Sequence, residues 1–176
     1  MAIPERPWSV RIAVSEVPET GRHFDLVADA QACAAIARLA GVAAVPRLTA
    51  GFEVTRHSHG GLRVVGRVSA TVEQTCVVTL EPLENPIEES IDLVFTPATH
   101  ALDMSQIEAP LDDAPEAMVD GTVDLGALAT EFLILGIDPY PRKPGAVFQS
   151  PAPDDDAARP FAALDALKKA RSGEER

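Results

Sequence analysis

One stretch, residues 62–75, constrains the fold most, because its side chains alternate between two classes. The even-numbered positions are mostly apolar, whereas the odd-numbered positions carry two arginines and most of the polar groups. A period of two is typical of a half-buried β-strand. Its length indicates a central or strongly curved strand, and Gly66 indicates a bulge or a point of close packing.

A second alternating stretch at residues 45–55 precedes it, and the HSHGG sequence at 57–61 has the composition of a turn. Together they predict an antiparallel hairpin. We expect Pro82 to end the ladder, because proline has no N–H to donate. Further strands are predicted at 8–14, 23–28 and 87–96.

Two helices are predicted, each after an aspartate that can cap its first turn. Asp29 precedes the alanine-rich residues 30–40, which Gly41 follows as a stop, and Asp124 precedes the largely apolar residues 125–137. We expect the second helix to be largely buried. The predicted fold is α+β: a curved antiparallel sheet with packed helices, for which a barrel-like closure is one form.

The chain is expected to hold one domain at 1–148, then a linker and a short C-terminal helix at 149–176. Residues 97–120 contain six acids, three prolines and no base, which predicts a mobile acidic loop. No apolar run approaches the roughly 20 residues that a membrane span needs. We therefore expect a cytoplasmic protein without a membrane partner.

The net charge of −12 is unevenly distributed: fifteen acids and no lysine or arginine lie between Val68 and Pro141. This is either a solvated acidic surface or a docking surface for a basic protein. Broad binding to nucleic acid is disfavoured, because phosphate contacts dominate such affinity.

Basic residues concentrate between Arg38 and Arg67, an interval with five arginines and one acid, Glu53; four of these arginines belong to the predicted hairpin and its turn. The favoured interpretation is local pairing with Glu53, Glu73 and neighbouring acids. The alternative is contact with RNA or another anion. The candidate residues for that contact are Arg47, Arg56, Arg63 and Arg67.

No cofactor, metal site or catalytic residue is predicted, because Cys33 and Cys76 are isolated and the four histidines lack metal-binding spacing. Glu131 lies among apolar residues. It is either a buried acid of raised pKa, which would hint at chemistry, or an exposed residue on the polar edge of its helix.

A proline-rich segment follows the second helix and is predicted to be extended. It is either a strap packed on the domain or a segment that recognises a partner. Its residues are Asp138, Pro139, Tyr140, Pro141, Arg142 and Lys143.

Several motifs in order resemble the YceD family, the large ribosomal RNA subunit accumulation proteins. The resemblance covers roughly residues 45–148. It rests on Gln74, Cys76, Leu80 and Pro82, then on Glu131 and the segment 138–145. Many members have a second cysteine where this chain has Thr79, an arginine where it has Val77, and a cysteine-rich cluster where it has PYPRKPG. If those cysteines bind a metal elsewhere, we expect that metal to be absent here.

The resemblance implies a non-enzymatic ribosome biogenesis factor that supports accumulation or processing of large-subunit ribosomal RNA. The expected partners are ribosomal precursor particles or a basic ribosomal protein, with ribosomal RNA contact limited to the hairpin arginines. Two alternatives remain open. One is a metal-dependent nuclease that processes RNA, and the other is a small-ligand binding protein, which a large apolar pocket would favour.

Overall fold

A computed structural model describes residues 6–97 and 115–148. They contain seven strands, two α-helices and short 3-10 turns at Val14–Glu16 and Ser58–Gly60. The strands are β1 (Arg11–Ala13), β2 (Arg22–Val27), β3 (Ala44–His57), β4 (Gly61–Thr75), β5 (Pro82–Pro97), β6 (Glu116–Met118) and β7 (Thr122–Asp124). The helices are α1 (Ala30–Ala40) and α2 (Leu125–Gly136). All of them lie in one compact unit that spans residues 1–144.

The larger sheet has five strands in the order β2-β3-β4-β5-β6 and is antiparallel except for the parallel pairing of β5 with β6. Strands β1 and β7 form a separate two-stranded antiparallel sheet. The α+β prediction is confirmed. A barrel-like closure is wrong, because β2 and β6 are the outer strands of an open sheet within the described residues.

The predicted hairpin of β3 and β4 is confirmed and forms the middle of the sheet. Its pairing runs from Ala44 opposite Glu73 to His57 opposite Gly61. Gly66 lies opposite Phe52, and a Cβ at Gly66 would clash with the Gly51 carbonyl oxygen. No larger residue fits there without a shift of the strands, so the glycine marks close packing.

The helices cover one face of the sheet, with α1 on β3 and α2 on β4 and β5. The predicted apolar face of β4 is the core face, since Leu62, Val64 and Val68 are completely buried. Burial of each such side chain contributes about 1.5–3 kcal/mol. The opposite face of the sheet is polar and exposed.

Both predicted helix caps are confirmed. The Asp29 carboxylate accepts a 2.7 Å hydrogen bond from the Ala32 N–H, and the Asp124 carboxylate accepts one of 3.1 Å from the Ala127 N–H. These bonds satisfy N–H groups that have no partner inside the helix. Gly41 ends α1 at a φ of 69°, a left-handed conformation that glycine adopts without strain.

Asp124 also ties the N-terminal segment to α2. Its carboxylate accepts hydrogen bonds from the Ser9 hydroxyl at 2.7 Å, the Val10 N–H at 2.8 Å and the Arg6 guanidinium at 3.1 Å. Burial alone would raise the pKa of Asp124, but these donors and the Ala127 N–H stabilise the charged form and lower it.

The prediction that Pro82 ends the ladder is wrong. Pro82 is the first residue of β5 and lies opposite Thr75, so the strand starts earlier than predicted. A proline is tolerated at the first position of a strand, where the ladder does not need its missing donor.

The prediction of a loop over 97–120 is wrong for residues 116–118, which form β6. Residues 98–114 of that predicted loop lie outside the described residues, and so do the predicted linker and helix at 149–176. Strand β6 pairs with β5, and Asp120 and Gly121 then form a tight turn with φ values of 52° and 66°. Positive φ at both positions is typical of a two-residue hairpin turn.

Helix α2 is largely buried, as predicted, and only two of its twelve residues, Glu131 and Leu135, are exposed. Leu125, Leu128 and Leu133 are buried, whereas Leu135 is 73% exposed and Glu131 is exposed on the same helix. No helix within the described residues is long and apolar enough to cross a membrane.

Candidate functional site

The six residues 76–81 form a tight bend between β4 and β5. The Cys76 N–H donates to the Glu81 carbonyl oxygen at 2.9 Å, and the Leu80 N–H donates to the Cys76 carbonyl oxygen at 2.9 Å. Leu80 has a φ of 59°, which a branched residue adopts only where its surroundings hold it. Its side chain is 77% exposed, so the bend holds a strained backbone and presents an apolar side chain.

The proline-rich segment 138–143, here called the strap, lies against this bend. The Val77 N–H donates to the Pro141 carbonyl oxygen at 2.9 Å, and the Lys143 ammonium contacts the Glu81 carboxylate at 2.9 Å. The segment is packed on the domain, as the strap interpretation expects, and this packing does not test its role in recognition. We call the bend, the strap and Gln74 together the junction.

The buried Gln74 side chain connects the strap to β5. Its amide nitrogen donates to the Asp138 carbonyl oxygen at 2.8 Å, and its amide oxygen accepts from the Asn85 side chain at 2.7 Å. A buried amide without partners would cost stability, so these bonds explain a polar residue at the end of the apolar face of β4.

The Cys76 thiol lies at the centre of the junction and is completely buried. Its sulfur accepts hydrogen bonds from the Thr79 N–H and the Lys143 N–H, both at 3.4 Å. The Thr79 hydroxyl, followed by these N–H groups, lowers the pKa of Cys76 to about 6, although burial opposes the shift. The thiolate is therefore favoured but inaccessible, an arrangement suited to holding the strap rather than to nucleophilic attack.

The junction thus unites most of the predicted site residues, since Gln74, Cys76 and Leu80 lie beside the strap. Thr79, which departs from the family pattern, supplies donors to the Cys76 sulfur. Glu131 lies elsewhere, exposed on α2. Within residues 6–97 and 115–148, no three His, Cys, Asp or Glu side chains form a group that could hold a metal ion.

The hairpin arginines are engaged locally. Arg63 makes two hydrogen bonds to Asp92, at 2.7 and 2.9 Å, and Arg67 lies 4.0 Å from Glu88. Both acids belong to β5, so they are among the neighbouring acids of the favoured interpretation, and local pairing is observed for these two arginines. The two remaining arginines bind uncharged groups: Arg47 donates to the Ser69 hydroxyl at 3.2 Å and Arg56 to the Val17 carbonyl oxygen at 2.7 Å.

A histidine between two carboxylates on the exposed sheet face was missed by the sequence analysis. The ring nitrogens of His23 lie 2.6 Å from Glu53 and 3.0 Å from Asp25, and these bonds, that to Asp25 most strongly, raise the pKa of His23. His23 and Asp25 share a face by strand alternation, but Glu53 joins them only through the register of β2 with β3. Both nitrogens are occupied and all three side chains are more than half exposed, so the cluster is not a catalytic cleft.

An open groove of about 730 Å³ between α2 and the β6–β7 hairpin was also missed. Glu131 lines it together with residues of β5, β6 and β7. Its walls come from elements more than 100 residues apart in sequence, between Arg6 and Leu135. A pattern within a few neighbouring residues therefore cannot predict this groove.

The family model of the large ribosomal RNA subunit accumulation protein YceD matches residues 64–168, more than half of the 176 residues. The chain belongs to the YceD family. The match begins later than the resemblance from residue 45 predicted and continues further. No curated protein and no solved structure matches the chain.

The YceD match includes the whole junction and α2, whereas β1, β2, α1 and β3 precede it. Every motif residue that carries the family resemblance therefore lies in the matched part. Family membership suggests a role in large-subunit ribosomal RNA accumulation. The junction is our candidate functional site.

Proposed function

We propose that this YceD-family chain is a non-enzymatic factor that supports accumulation or processing of large-subunit ribosomal RNA in the cytoplasm by docking to protein partners. The observation that carries the proposal is that the family match contains a junction whose motif residues build a fixed surface. The proposed partners are ribosomal precursor particles or a basic ribosomal protein.

The exposed side of the junction supports docking. Val77, Leu80 and Tyr140 are large and exposed, the last two by 77% and 70%, on segments that hydrogen bonds hold in place. Apolar and aromatic side chains on a preordered surface lose little conformational freedom on binding. We therefore propose the strap as the partner-recognition segment, with its Tyr140 and the neighbouring Leu80 of the bend as apolar anchors.

Direct RNA contact is a smaller part of the proposal. Arg47, Arg56, Arg63 and Arg67 remain the candidate residues, but Arg63 and Arg67 lie beside acids. A phosphate would have to displace those carboxylates, which lowers the expected affinity. We expect any such contact to be weak and to depend strongly on salt.

The alternatives receive less support. A metal-dependent nuclease needs convergent carboxylates, and Glu131 belongs to no such group within the described residues. A small-ligand protein needs a largely apolar pocket, but four acids and two arginines line the groove.

A binding assay tests the proposal. Purified large-subunit precursors are titrated with the full chain over a range of salt, and bound protein and RNA are identified. We expect binding at low salt that weakens as salt rises, and a loss of binding for Leu80→Asn with Tyr140→Ser. Asparagine tolerates positive φ, so this variant keeps the bend.

Glu19→Gln is a matched control, because it changes one exposed acid away from the junction. Absence of binding at low salt would remove the docking proposal. Metal-dependent cleavage of the precursor RNA that Glu131→Gln abolishes would establish the nuclease instead.

A further inference from the structure

We propose that the groove between α2 and the β6–β7 hairpin, here called the α2 groove, binds a short extended peptide of alternating basic and apolar residues from a protein partner. This inference rests on the proposed function, since it names the kind of partner segment that a docking factor would hold. It concerns a surface separate from the junction.

The floor of the α2 groove is apolar. Leu93 and Phe95 of β5 and Leu128 and Phe132 of α2 line it. Val119 and Leu135 also line it and are 67% and 73% exposed, so a partner could cover both. A second cavity of about 250 Å³ shares Arg6, Ala127, Glu131 and Leu135 with the groove and adds the apolar residues Leu39 and Ile134.

The rim of the α2 groove is acidic. Glu116, Asp120 and Glu131 line it, and the described residues provide none of the three with an ion pair. Two arginines line the groove, and one of them, Arg6, is paired with Asp124 at 3.1 Å. Among the remaining charged residues of the groove, one base, Arg11, is outnumbered by three acids, so the rim has a net negative charge. An occupant with basic side chains would complement this potential.

The edge of the sheet favours an extended occupant. Strand β6 is the last strand of the five-stranded sheet, so no strand in the described part of the chain pairs with its second edge. Its residues Glu116 and Ala117 line the groove. A peptide added at such an edge gains main-chain hydrogen bonds, and alternate side chains then point to one face.

Charge argues against two occupants made of this chain, the acidic residues 98–114 and a second copy; it does not argue against residues 157–171, which carry four basic residues and one acid. Residues 98–114, which directly precede this region, contain four acids and no lysine or arginine, so the rim would repel them. A second copy carries a net charge of −12 and would be repelled as well. Single-stranded RNA carries the same sign of charge as the rim. A basic peptide is the occupant that the rim and the floor both fit.

The test uses the full chain and a fluorescent peptide of sequence Lys-Val-Lys-Leu-Lys-Val-Lys, with binding measured by anisotropy. We expect saturable binding that Glu116→Gln, Asp120→Asn and Glu131→Gln together weaken about tenfold, the effect of three exposed ion pairs. Leu135→Ser should weaken binding at high salt too, because it removes apolar contact. All four positions are exposed, so the fold should survive.

The matched control is Glu19→Gln, Glu73→Gln and Glu84→Gln, which removes the same charge outside the groove. Equal weakening by this control would show that net charge alone attracts the peptide and would overturn the inference. It would also fall if the wild-type chain did not bind the peptide, or if Glu-Val-Glu-Leu-Glu-Val-Glu or a peptide of residues 98–114 bound as tightly.

The outcome is separable from the proposed function. If the chain does not bind large-subunit precursors but binds the basic peptide at the groove, the ribosomal role is rejected and the peptide site is supported. If the chain binds precursors but not the peptide, the peptide site is rejected and the ribosomal role is supported.

Discussion

The junction and the α2 groove differ in whether their polar side chains have hydrogen-bonding or ionic partners. In the junction, buried polar atoms have partners: Gln74 bridges Asp138 and Asn85, and Cys76 accepts from two backbone N–H groups. In the groove, Glu116, Asp120 and Glu131 lie exposed without an ion pair among the described residues. Closed polar networks therefore hold the junction in shape, whereas the three groove acids have no ion pair of this kind among the described residues.

The largest effect is expected from the one groove acid that is part of a closed network. Asp124→Ala removes the cap of α2 and the anchor of the N-terminal segment, so the free energy of unfolding should fall by roughly 2–4 kcal/mol. Urea unfolding followed by circular dichroism measures it. The matched control on the same groove, Glu131→Ala, should stay within about 0.5 kcal/mol of the wild type.

The sign of the pH dependence sharpens this contrast. Because the pKa of Asp124 is lowered in the fold, its contribution is present above the ordinary aspartate pKa and is lost as the pH falls through the folded value. Asp124→Ala should therefore lose less stability on acidification than the wild type. If acidification lowered the free energy of unfolding equally in Asp124→Ala and Glu131→Ala, the assignment of Asp124 as a structural acid would be contradicted.

A second variant tests whether the junction is closed by Gln74. Gln74→Leu keeps the volume but leaves the Asp138 carbonyl and the Asn85 amide without a partner, which should cost about 1–3 kcal/mol. Hydrogen exchange should then rise at the Val77 amide, because the strap loosens. Thr75→Leu, one residue along the strand and exposed, is the control. An unchanged exchange rate in Gln74→Leu would show that the strap is held without this amide.

The smallest change in stability is expected from Thr79→Val, which removes only one of several donors that stabilise the Cys76 thiolate. The pKa of Cys76 is about 6 in the fold, below the ordinary cysteine pKa of about 8.5. The thiolate therefore contributes its full stability at a pH above about 8.5, and this stability is lost as the pH falls through about 6. The thiolate absorbance of the native protein should titrate near this pKa, while alkylation stays slow because the sulfur is buried. Thr79→Val should raise the pKa towards its ordinary value, and an unshifted titration would rule out the hydroxyl as a donor.

Local patterns were enough to predict the hairpin and both helices. Alternation from residue 62 identified the core face of β4, and Asp29 and Asp124 identified the helix starts, because these signals lie within a few residues of the structure they determine. The error at Pro82 came from treating a missing donor as a stop, although a strand can begin there. Strands β6 and β7 have three residues each, too few for alternation to appear.

The two sites were predicted to different extents for a physical reason. The residues of the junction were singled out by family motifs and by proline spacing, but the contact between Gln74 and the strap spans 64 positions and depends on the tertiary fold. The α2 groove has walls from five elements and shares only Glu131 with those motifs. The apolar run of α2 also concealed that Leu135 faces outward, since a helix that is apolar all round gives no signal of its exposed side.

The central claim is that this YceD-family chain acts through its surfaces and catalyses no reaction. The most direct measurement is the ratio of large- to small-subunit ribosomal RNA in cells whose only copy carries a single variant. We expect Glu19→Gln, which changes an exposed acid outside the junction and the α2 groove, to restore the wild-type ratio. Leu80→Asn with Tyr140→Ser should leave the ratio as low as in cells that lack the gene. Full restoration of the ratio by the folded double variant would contradict the proposal.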